Sequence, residues 1–564
     1  MDLYEKLSTE RKELQAQGLI PEWYSTAGWQ MFKERYLSGT DRAVRGQFER
    51  IAATAARHLR SIGKEEEARE KFFQMLWDGW LSPSTPVLSN MGTNKGMPIS
   101  CSGTYVGDEI DQFYGVRHET AMLTKNGFGT AAYLGDIRPR GSKISRGGKA
   151  SGVLPVFKGF VQDSRDVSQG TRRGAWAGYL PIDHGDFDEL ADYVMAEVDD
   201  CNVGWNVSDA FIAKLDAGDP EAVRRYQKAM KMKMVTGRGY FFFPDKANKK
   251  RPKMYVERGL DVKAPQLCNE IMLHSSKEFT YTCVLSNMNL AHYDAWKDTD
   301  AVFWATVFLD CVISEFLEKA ESEPMLGKAV RFTKAGRALG LGVCGFHSYL
   351  QEKRLAYESL DAHFKNMEIF KHLHDESKRA SAWLAQQLGE PEWCVGHGVR
   401  NTHNIALPPT KSTALLMGGV SEGISPDPAM TYTQTSAAGE VDRIVVPLLK
   451  LMKERGVYTD AVINDLVDHQ GSVQHVAWLT DDEKAVFKTA FEINQKTVLR
   501  MAAARAKHID QWQSLNLFFA ADEDPAWISE CHKVAFHDPD ILGLYYIYTQ
   551  AGVQASKGEC EACQ

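Results

Sequence analysis

From about residue 81 to about residue 430 the chain alternates short strand-like runs, glycine-rich turns and helical patterns, as in "NGFGTAAYLGDI", "GYFFFP" and "RALGLGVCGFHSYL". That alternation predicts an α/β architecture, with helices covering a largely buried sheet. It is flanked on both sides by helical sequence. Residues 1–80 carry apolar residues at three- and four-residue spacing, in "TDRAVRGQFERIAATAARHLRSIG" and "KEEEAREKFFQMLWDGWL". "SPSTPVLSN" ends that pattern with two prolines. From 431 to 552 helical patterns return, as in "VDRIVVPLLKLMKERG" and "DEKAVFKTAFEINQKTVLRMAAARAKHID". Residues 553–564 are small and polar and read as a flexible tail. The expected organisation is a helical unit (1–80), an α/β unit (81–430), a mainly helical unit (431–552) and the tail (553–564).

The charge balance argues against nucleic acid as a general partner: the formal net charge is −8 over 564 residues. The N-terminus, "MDLYEKLSTERKEL", is charged from its second residue and has no signal-peptide pattern. The most apolar run, "AVFWATVFLDCVISEFL", is interrupted by Asp310 and Glu315 and reads as a buried helix rather than a membrane span. Ten cysteines are too sparse for a disulfide scaffold. A reducing cytoplasm is the default expectation, with any cysteine chemistry catalytic.

Several stretches can carry chemistry. "GFGTAA" (Gly127, Gly129, Ala132) imitates a dinucleotide fingerprint, but a basic, glycine-rich loop follows where a helix is required. The arginines of that loop, Arg138, Arg140 and Arg146, could hold a phosphate or simply be solvated. In "ALPPTKSTALLMGG", Pro408, Pro409, Thr410, Ser412 and Thr413 precede an apolar helical run. That is either an ordinary helix cap or an anion site. "APQLCNEI" places Gln266 and Glu270 two residues either side of Cys268. In an extended strand all three would share a face. A single cysteine is more commonly a packed core residue, yet an amide and a carboxylate are costly on a buried face unless they serve something. Cys101 ("PISCSG") and Cys283 ("YTCVLSN") sit in strand-like surroundings, and Tyr545 and Tyr546 are adjacent in "LGLYYIYTQAG". The chain ends "GECEACQ", a dithiol (Cys560, Cys563) on a mobile end.

Taken in order, "PISCSG", "IRPRGSKISRGG", "SQGTRRGA", "LCNEI", "TCVLSN", "LPPTKST", "LYY" and "CEAC" resemble the catalytic large (alpha) subunit of aerobic class I ribonucleotide reductases. The resemblance runs from about residue 81 to the tail. It implies a ten-stranded α/β barrel with Cys268 on a loop at its centre, where it would become a thiyl radical and abstract the 3′-hydrogen of a ribonucleoside diphosphate. Glu270 would take the 3′-hydroxyl proton. Cys101 would protonate the departing 2′-hydroxyl, and Cys101 and Cys283 would supply two electrons and end as a disulfide. Gln266 stands where the family usually has Asn, one methylene shorter, so its hydrogen bond to substrate would be re-aimed. Ser412 and Thr413, with Pro409 and Thr410, match the substrate phosphate loop, and Thr85 and Ser100 match the pocket lining.

The same resemblance makes Tyr545 and Tyr546 a radical relay from a separate small (beta) subunit that carries the radical cofactor, with no metal in this chain. Asp108, Arg138 and Arg173 match the site of a deoxynucleotide or ATP effector, expected with Mg2+. Cys560 and Cys563 would pass electrons from thioredoxin or glutaredoxin to the Cys101–Cys283 pair. A homodimer is expected, without nucleic acid or membrane. The stretch before residue 81 is too short for a separate N-terminal nucleotide-binding cone, so activity control by adenine nucleotides there is expected to be missing. The alternative that shares the barrel and cysteines is a cobalamin-dependent reductase, which would not need the tyrosine pair.

Overall fold

The computed structural model describes residues 3–39, 41–169, 172–197, 202–436 and 439–550. Its centre is one mixed sheet of nine strands among the described residues: β1 (Leu81–Pro83), β2 (Cys101–Tyr105), β3 (Gly129–Tyr133), β4 (Trp176–Pro181), β5 (Asn202–Asn206), β6 (Tyr240–Phe242), β7 (Tyr281–Asn289), β8 (Leu339–Cys344) and β9 (Gly543–Leu544). Strands β2 to β6 pair in sequence order, all parallel. Helices such as Ile110–Lys125, Val153–Asp166 and Phe187–Ala196 supply the crossovers that parallel strands require. The second half begins with β7, which runs antiparallel to β2 and parallel to β8.

The sheet curls back on itself. β8 meets Ile405 through a parallel bridge, and Leu407 meets Gln513 through another. Tyr545 N–H donates to the Leu515 carbonyl, and β9 returns to β6 in antiparallel register. The barrel architecture is as expected, while its ten strands are not all present as regular strands among the described residues. Nine are regular, and the stretches around Ile405–Leu407 and Gln513 contribute single bridges instead. Pro408 and Pro409 lack amide donors, which limits how far the first of these stretches can extend a ladder.

The N-terminal helices include Val44–Ala56 and Glu65–Trp77. Val44, Phe48, Ile51 and Ala55 form the buried stripe of the first, at the spacing the sequence showed. Helix Ala301–Lys319 is buried almost all round, Asp310 included. The Asp310 carboxylate is bound by the guanidinium groups of Arg337 (2.8 Å) and Arg400 (3.1 Å) and by Asn401 (2.9 Å). Those partners are what allow a charge inside that helix. No helix of the described residues is long and apolar enough to cross a membrane.

Two of the helical expectations beyond residue 431 are modified. Gly439–Ile444, the "VDRI" part of one expected helix, pairs with Thr431–Ser436 as a two-stranded ribbon, and the helix starts at Val446. The long run from "DEKAV" is two helices, Asp481–Val486 and Gln495–Arg505. Asn494 caps the second by accepting from Lys496 N–H at 2.9 Å, so the chain restarts rather than continuing.

Candidate active site

Residues 266–270 form a turn, not the extended strand in which Gln266, Cys268 and Glu270 would share a face. Asn269 N–H donates to the Gln266 carbonyl (3.2 Å), and Asn269 has φ = +71°. Asparagine tolerates that left-handed conformation better than most residues. Its Nδ2 donates to the Phe241 carbonyl on β6 (3.3 Å). Tyr179 on β4 donates its hydroxyl to the Gln266 carbonyl (2.9 Å). Its ring lies so close to β5 that a Cβ at Gly204 would meet it at 2.0 Å, so glycine there lets the tyrosine cross the sheet to the turn. On the far side Trp512 N–H donates to the Glu270 carbonyl (2.9 Å). The turn is thus tied to both halves of the sheet.

Gln266, Cys268 and Glu270 are all buried, at 0%, 1% and 0% exposure. Gln266 Oε1 accepts from Ile271 N–H (2.9 Å). Its Nε2 and Glu270 Oε1 make no hydrogen bond of good geometry among the described residues, although the Gln266 amide lies close enough to Glu270 to lower its carboxyl. Polar atoms left so weakly satisfied in one buried turn carry an energetic cost. Burial lifts the Glu270 carboxyl to about 7, against smaller downward pulls from Gln266, its own backbone and Ser514. A carboxyl titrating near neutrality suits a general base.

Cys101 on β2 and Cys283 on β7 are direct cross-strand partners, so their side chains project from the same face. Both are buried and neither is in a disulfide. Burial pushes the Cys283 thiol up, and the Glu270 charge pushes it further, which places the thiol within electrostatic reach of the carboxylate. A Cβ at Gly340 would stand 2.9 Å from Cys283 Sγ, so glycine on β8 leaves room for the sulfur. Gln511 Nε2 lies 3.9 Å from that sulfur and donates to the Leu339 carbonyl at 2.8 Å.

Tyr545 follows β9 directly and is buried, while Tyr546 is half-buried. Their ring centroids are 4.2 Å apart. Tyr240 on β6 packs against both, at 4.7 and 5.3 Å, and Tyr548 extends the row outward, 5.6 Å from Tyr546. The fully buried Lys233 donates to the Tyr545 carbonyl, and burial lowers its amine to about 7.

The remaining expected residues fall into three groups. Ser100 bonds Ser84 (2.9 Å), with its N–H on the Cys283 carbonyl (3.3 Å), and Thr85 lies 3.2 Å from the Tyr36 hydroxyl at the start of helix Thr85–Asn90. Thr410, Ser412 and Thr413 are buried and Pro409 half-buried at the start of helix Lys411–Leu416. Thr410 does not cap that helix through its side chain; its hydroxyl accepts from Gly423 N–H at 2.7 Å. Asp108 and Arg138 are brought together as an ion pair, and Arg138 also donates to the Lys143 carbonyl (3.1 Å). Arg173 lies on a two-stranded ribbon, Ser168–Gln169 with Arg172–Arg173. Cys560 and Cys563 lie outside the described residues. Away from this centre, Asp465, His469 and His475 cluster on the surface, where His475 Nε2 is 2.7 Å from Asp465.

Sequence reasoning missed Ser514, Gln511, Tyr240 and Lys233. "DQWQSLN" carried no pattern that set Ser514 and Gln511 apart, although its polar residues in a buried stretch were a signal. Tyr240 sat in the recognised strand "GYFFFP" and looked like core.

A buried thiol on a turn, a carboxyl beside it raised by burial and a cross-strand pair of thiols are groups that suit a redox enzyme with its site inside a curled sheet. Residues 22–96 match the family model described as ribonucleotide reductase, all-alpha domain, and residues 99–221, 221–393 and 391–547 match ribonucleotide reductase, barrel domain. The chain is 32% identical over 536 residues to the putative ribonucleoside-diphosphate reductase large subunit of Frog virus 3 (isolate Goorha), covering 89% of this chain and 93% of that one. To the ribonucleoside-diphosphate reductase large subunit of Danio rerio it is 26% identical over 576 residues, covering 87% and 72%. The solved Actinobacillus ureae class Id ribonucleotide reductase alpha subunit superposes with a TM-score of 0.87 at 38% identity, covering 95% of this chain and 99% of that one. The chain belongs to the ribonucleotide reductase family, as a large subunit of class I type and not a cobalamin-dependent reductase.

Proposed function

We propose that this chain reduces ribonucleoside diphosphates to 2′-deoxyribonucleoside diphosphates, with a radical supplied by a separate small subunit. The observation that supports the reading is the burial of Cys268 and Glu270 on one turn, with the Glu270 charge acting on Cys283 of the cross-strand Cys101–Cys283 pair. Cys268 as a thiyl radical takes the substrate's 3′-hydrogen atom. Glu270 Oε1 accepts the 3′-hydroxyl proton. Cys101 gives its proton to the 2′-hydroxyl, which leaves as water. The two thiols deliver two electrons and their second hydrogen, which ends on C2′, and become a disulfide; Glu270 gives its proton back to the 3′-oxygen, and Cys268 returns a hydrogen atom to C3′. Sulfur supports both the one-electron and the two-electron couple, and burial shields the radical from solvent.

Tyr546 and then Tyr545 relay the radical inward; their rings in near contact, with the outer one half-exposed, support that order. Thr410, Ser412 and Thr413 hold the substrate phosphates, and Thr85 and Ser100 line the pocket. Asp108, Arg138 and Arg173 bind a deoxynucleotide or ATP effector with Mg2+. The Asp108–Arg138 ion pair would have to open for the arginine to meet phosphates. Cys560 and Cys563 re-reduce the internal disulfide at the expense of thioredoxin or glutaredoxin, and the working unit is a homodimer with the small subunit.

The test is to assay reduction of CDP, with an effector present, after mixing the purified chain with a radical-bearing small subunit, with adenosylcobalamin, or with neither. Turnover is expected only with the small subunit. Turnover with adenosylcobalamin alone would overturn the reading.

A further inference from the structure

Ser514 sits between the two chemical groups of the turn. Its Oγ is 2.7 Å from the Cys268 carbonyl and 2.9 Å from Glu270 Oε2. The residue is 4% exposed, and its own N–H donates to the Leu407 carbonyl at 2.9 Å, so its backbone is held in place. A serine hydroxyl has one hydrogen and two lone pairs. It can donate to only one of these two acceptors at a time. An ionised Glu270 is the stronger acceptor, since hydrogen bonds to charged groups are the stronger class. A protonated Glu270 no longer competes as strongly, and it can itself donate to the serine oxygen.

We propose that Ser514 is a positioning residue that turns its single proton between Glu270 Oε2 and the Cys268 carbonyl as Glu270 loses and gains its proton. This rests on the reading of Glu270 as the base for the 3′-hydroxyl. With Glu270 ionised, the bond to Oε2 holds the carboxylate and leaves Oε1, which makes no hydrogen bond of good geometry, to receive the proton. Once Oε1 has taken it, the serine proton swings to the Cys268 carbonyl and braces the turn that carries the thiol. No proton enters or leaves Ser514 in this exchange; only its O–H bond rotates. Base orientation and thiol placement are then coupled through one hydroxyl.

The other titratable groups around Glu270 are Cys268 on the same turn, and Cys101, Tyr281 and Cys283 on the sheet. Tyr281 and Cys283 both feel the Glu270 charge, Cys101 couples to Tyr281, and Asp510 acts on Cys283 from the segment that carries Ser514. Burial and the nearby negative charge raise both Tyr281 and Cys283, so neither ionises where Glu270 titrates. The acid limb of activity therefore reports the carboxylate.

The test uses the full chain with a radical-bearing small subunit, following CDP reduction against pH. Ser514→Ala should lower kcat about tenfold or more, the range expected when a hydrogen bond to a charged group is lost, with KM little changed because the proposed role acts through Glu270 and the Cys268 turn. The acid limb should move to higher pH, since a donor that favoured the anion is gone. Ser514→Thr keeps the hydroxyl and should keep the wild-type limb. If Ser514→Ala does not fold, the threonine variant decides: a wild-type limb supports the proposal, and a shifted limb in a folded, active protein overturns it. Glu270→Gln separates the two readings. If it retains wild-type turnover, Glu270 is not the base and the role of Ser514 falls with it. If it is inactive while Ser514→Ala shows wild-type kcat and acid limb, the Ser514 proposal alone is overturned.

Discussion

Glu270→Gln should make the protein more stable above neutral pH while removing its activity. The Glu270 carboxyl titrates at about 7 in the folded chain because it is buried, against an ordinary value of 4.5. Between those two values the unfolded chain has released the proton and the folded chain still holds it. The unfolded state therefore binds fewer protons, and stability falls as pH rises through that window. Below about 4.5 there is no penalty, and above about 7 it is complete. A difference of about 2.5 pKa units at 1.36 kcal/mol each gives roughly 3 kcal/mol at pH 8. Glutamine has no charge to bury and escapes it. Unfolding entropy scales at about 2.1 cal/mol/K per residue, so for this chain 3 kcal/mol corresponds to a Tm change of roughly 2–3 °C. Thermal unfolding of both proteins from pH 5 to pH 8.5 provides the assay. The variant-minus-native difference in Tm should grow with pH and level off above 7. A difference that stays flat across the range would refute the claim that this carboxylate is held at an energetic cost.

Tyr545→Phe and Tyr546→Phe should each abolish reduction in the presence of the small subunit, with Tm nearly unchanged, because only one oxygen is lost from each; near-native turnover by either would remove it from the relay. Asp310→Asn should destabilise the fold by about 3–5 kcal/mol at pH 7, since it leaves the buried Arg337 and the half-buried Arg400 without their carboxylate. These cations hold the Asp310 carboxyl well below its usual range, so its contribution is present above about pH 4 and lost as pH falls toward 2; urea titrations at pH 7 and pH 3 should show the gap narrowing. Cys560→Ser or Cys563→Ser should leave one turnover of pre-reduced enzyme intact and stop repeated turnover driven by thioredoxin or glutaredoxin, with partial recovery in a small dithiol. Normal repeated turnover with the protein reductant would give the tail some other purpose.

The α/β alternation was legible because strands, glycine turns and helices each leave a local signature, and the parallel run from β2 to β6 follows sequence order. Closure of the sheet was not legible locally. It depends on Ile405, Leu407 and Gln513 meeting partners far away in the chain, through single bridges with no strand-length pattern. The Cys268 stretch illustrates a different limit. Its residue types pointed to a site, but the period-two argument for a shared face was wrong, because Asn269 turns the backbone through positive φ. What brings Gln266, Cys268 and Glu270 together is anchoring by Tyr179, Trp512 and Ser514, three residues distant in sequence. The Cys101–Cys283 pairing came from the family resemblance and appears in the structure as cross-strand register. Asp310 marks the reverse case: a charge within an apolar run ruled out a membrane span, but its partners could be named only in three dimensions.

The most direct test of the central claim is product formation by Cys268→Ser. Serine is nearly isosteric with cysteine, but its O–H bond is too strong to give up a hydrogen atom to the relay. The account predicts a folded protein that binds effector and small subunit and forms no deoxynucleotide from CDP above the background of the small subunit alone. Measurable deoxynucleotide from a verified Cys268→Ser protein would contradict the assignment of Cys268 as the residue that attacks the 3′-hydrogen.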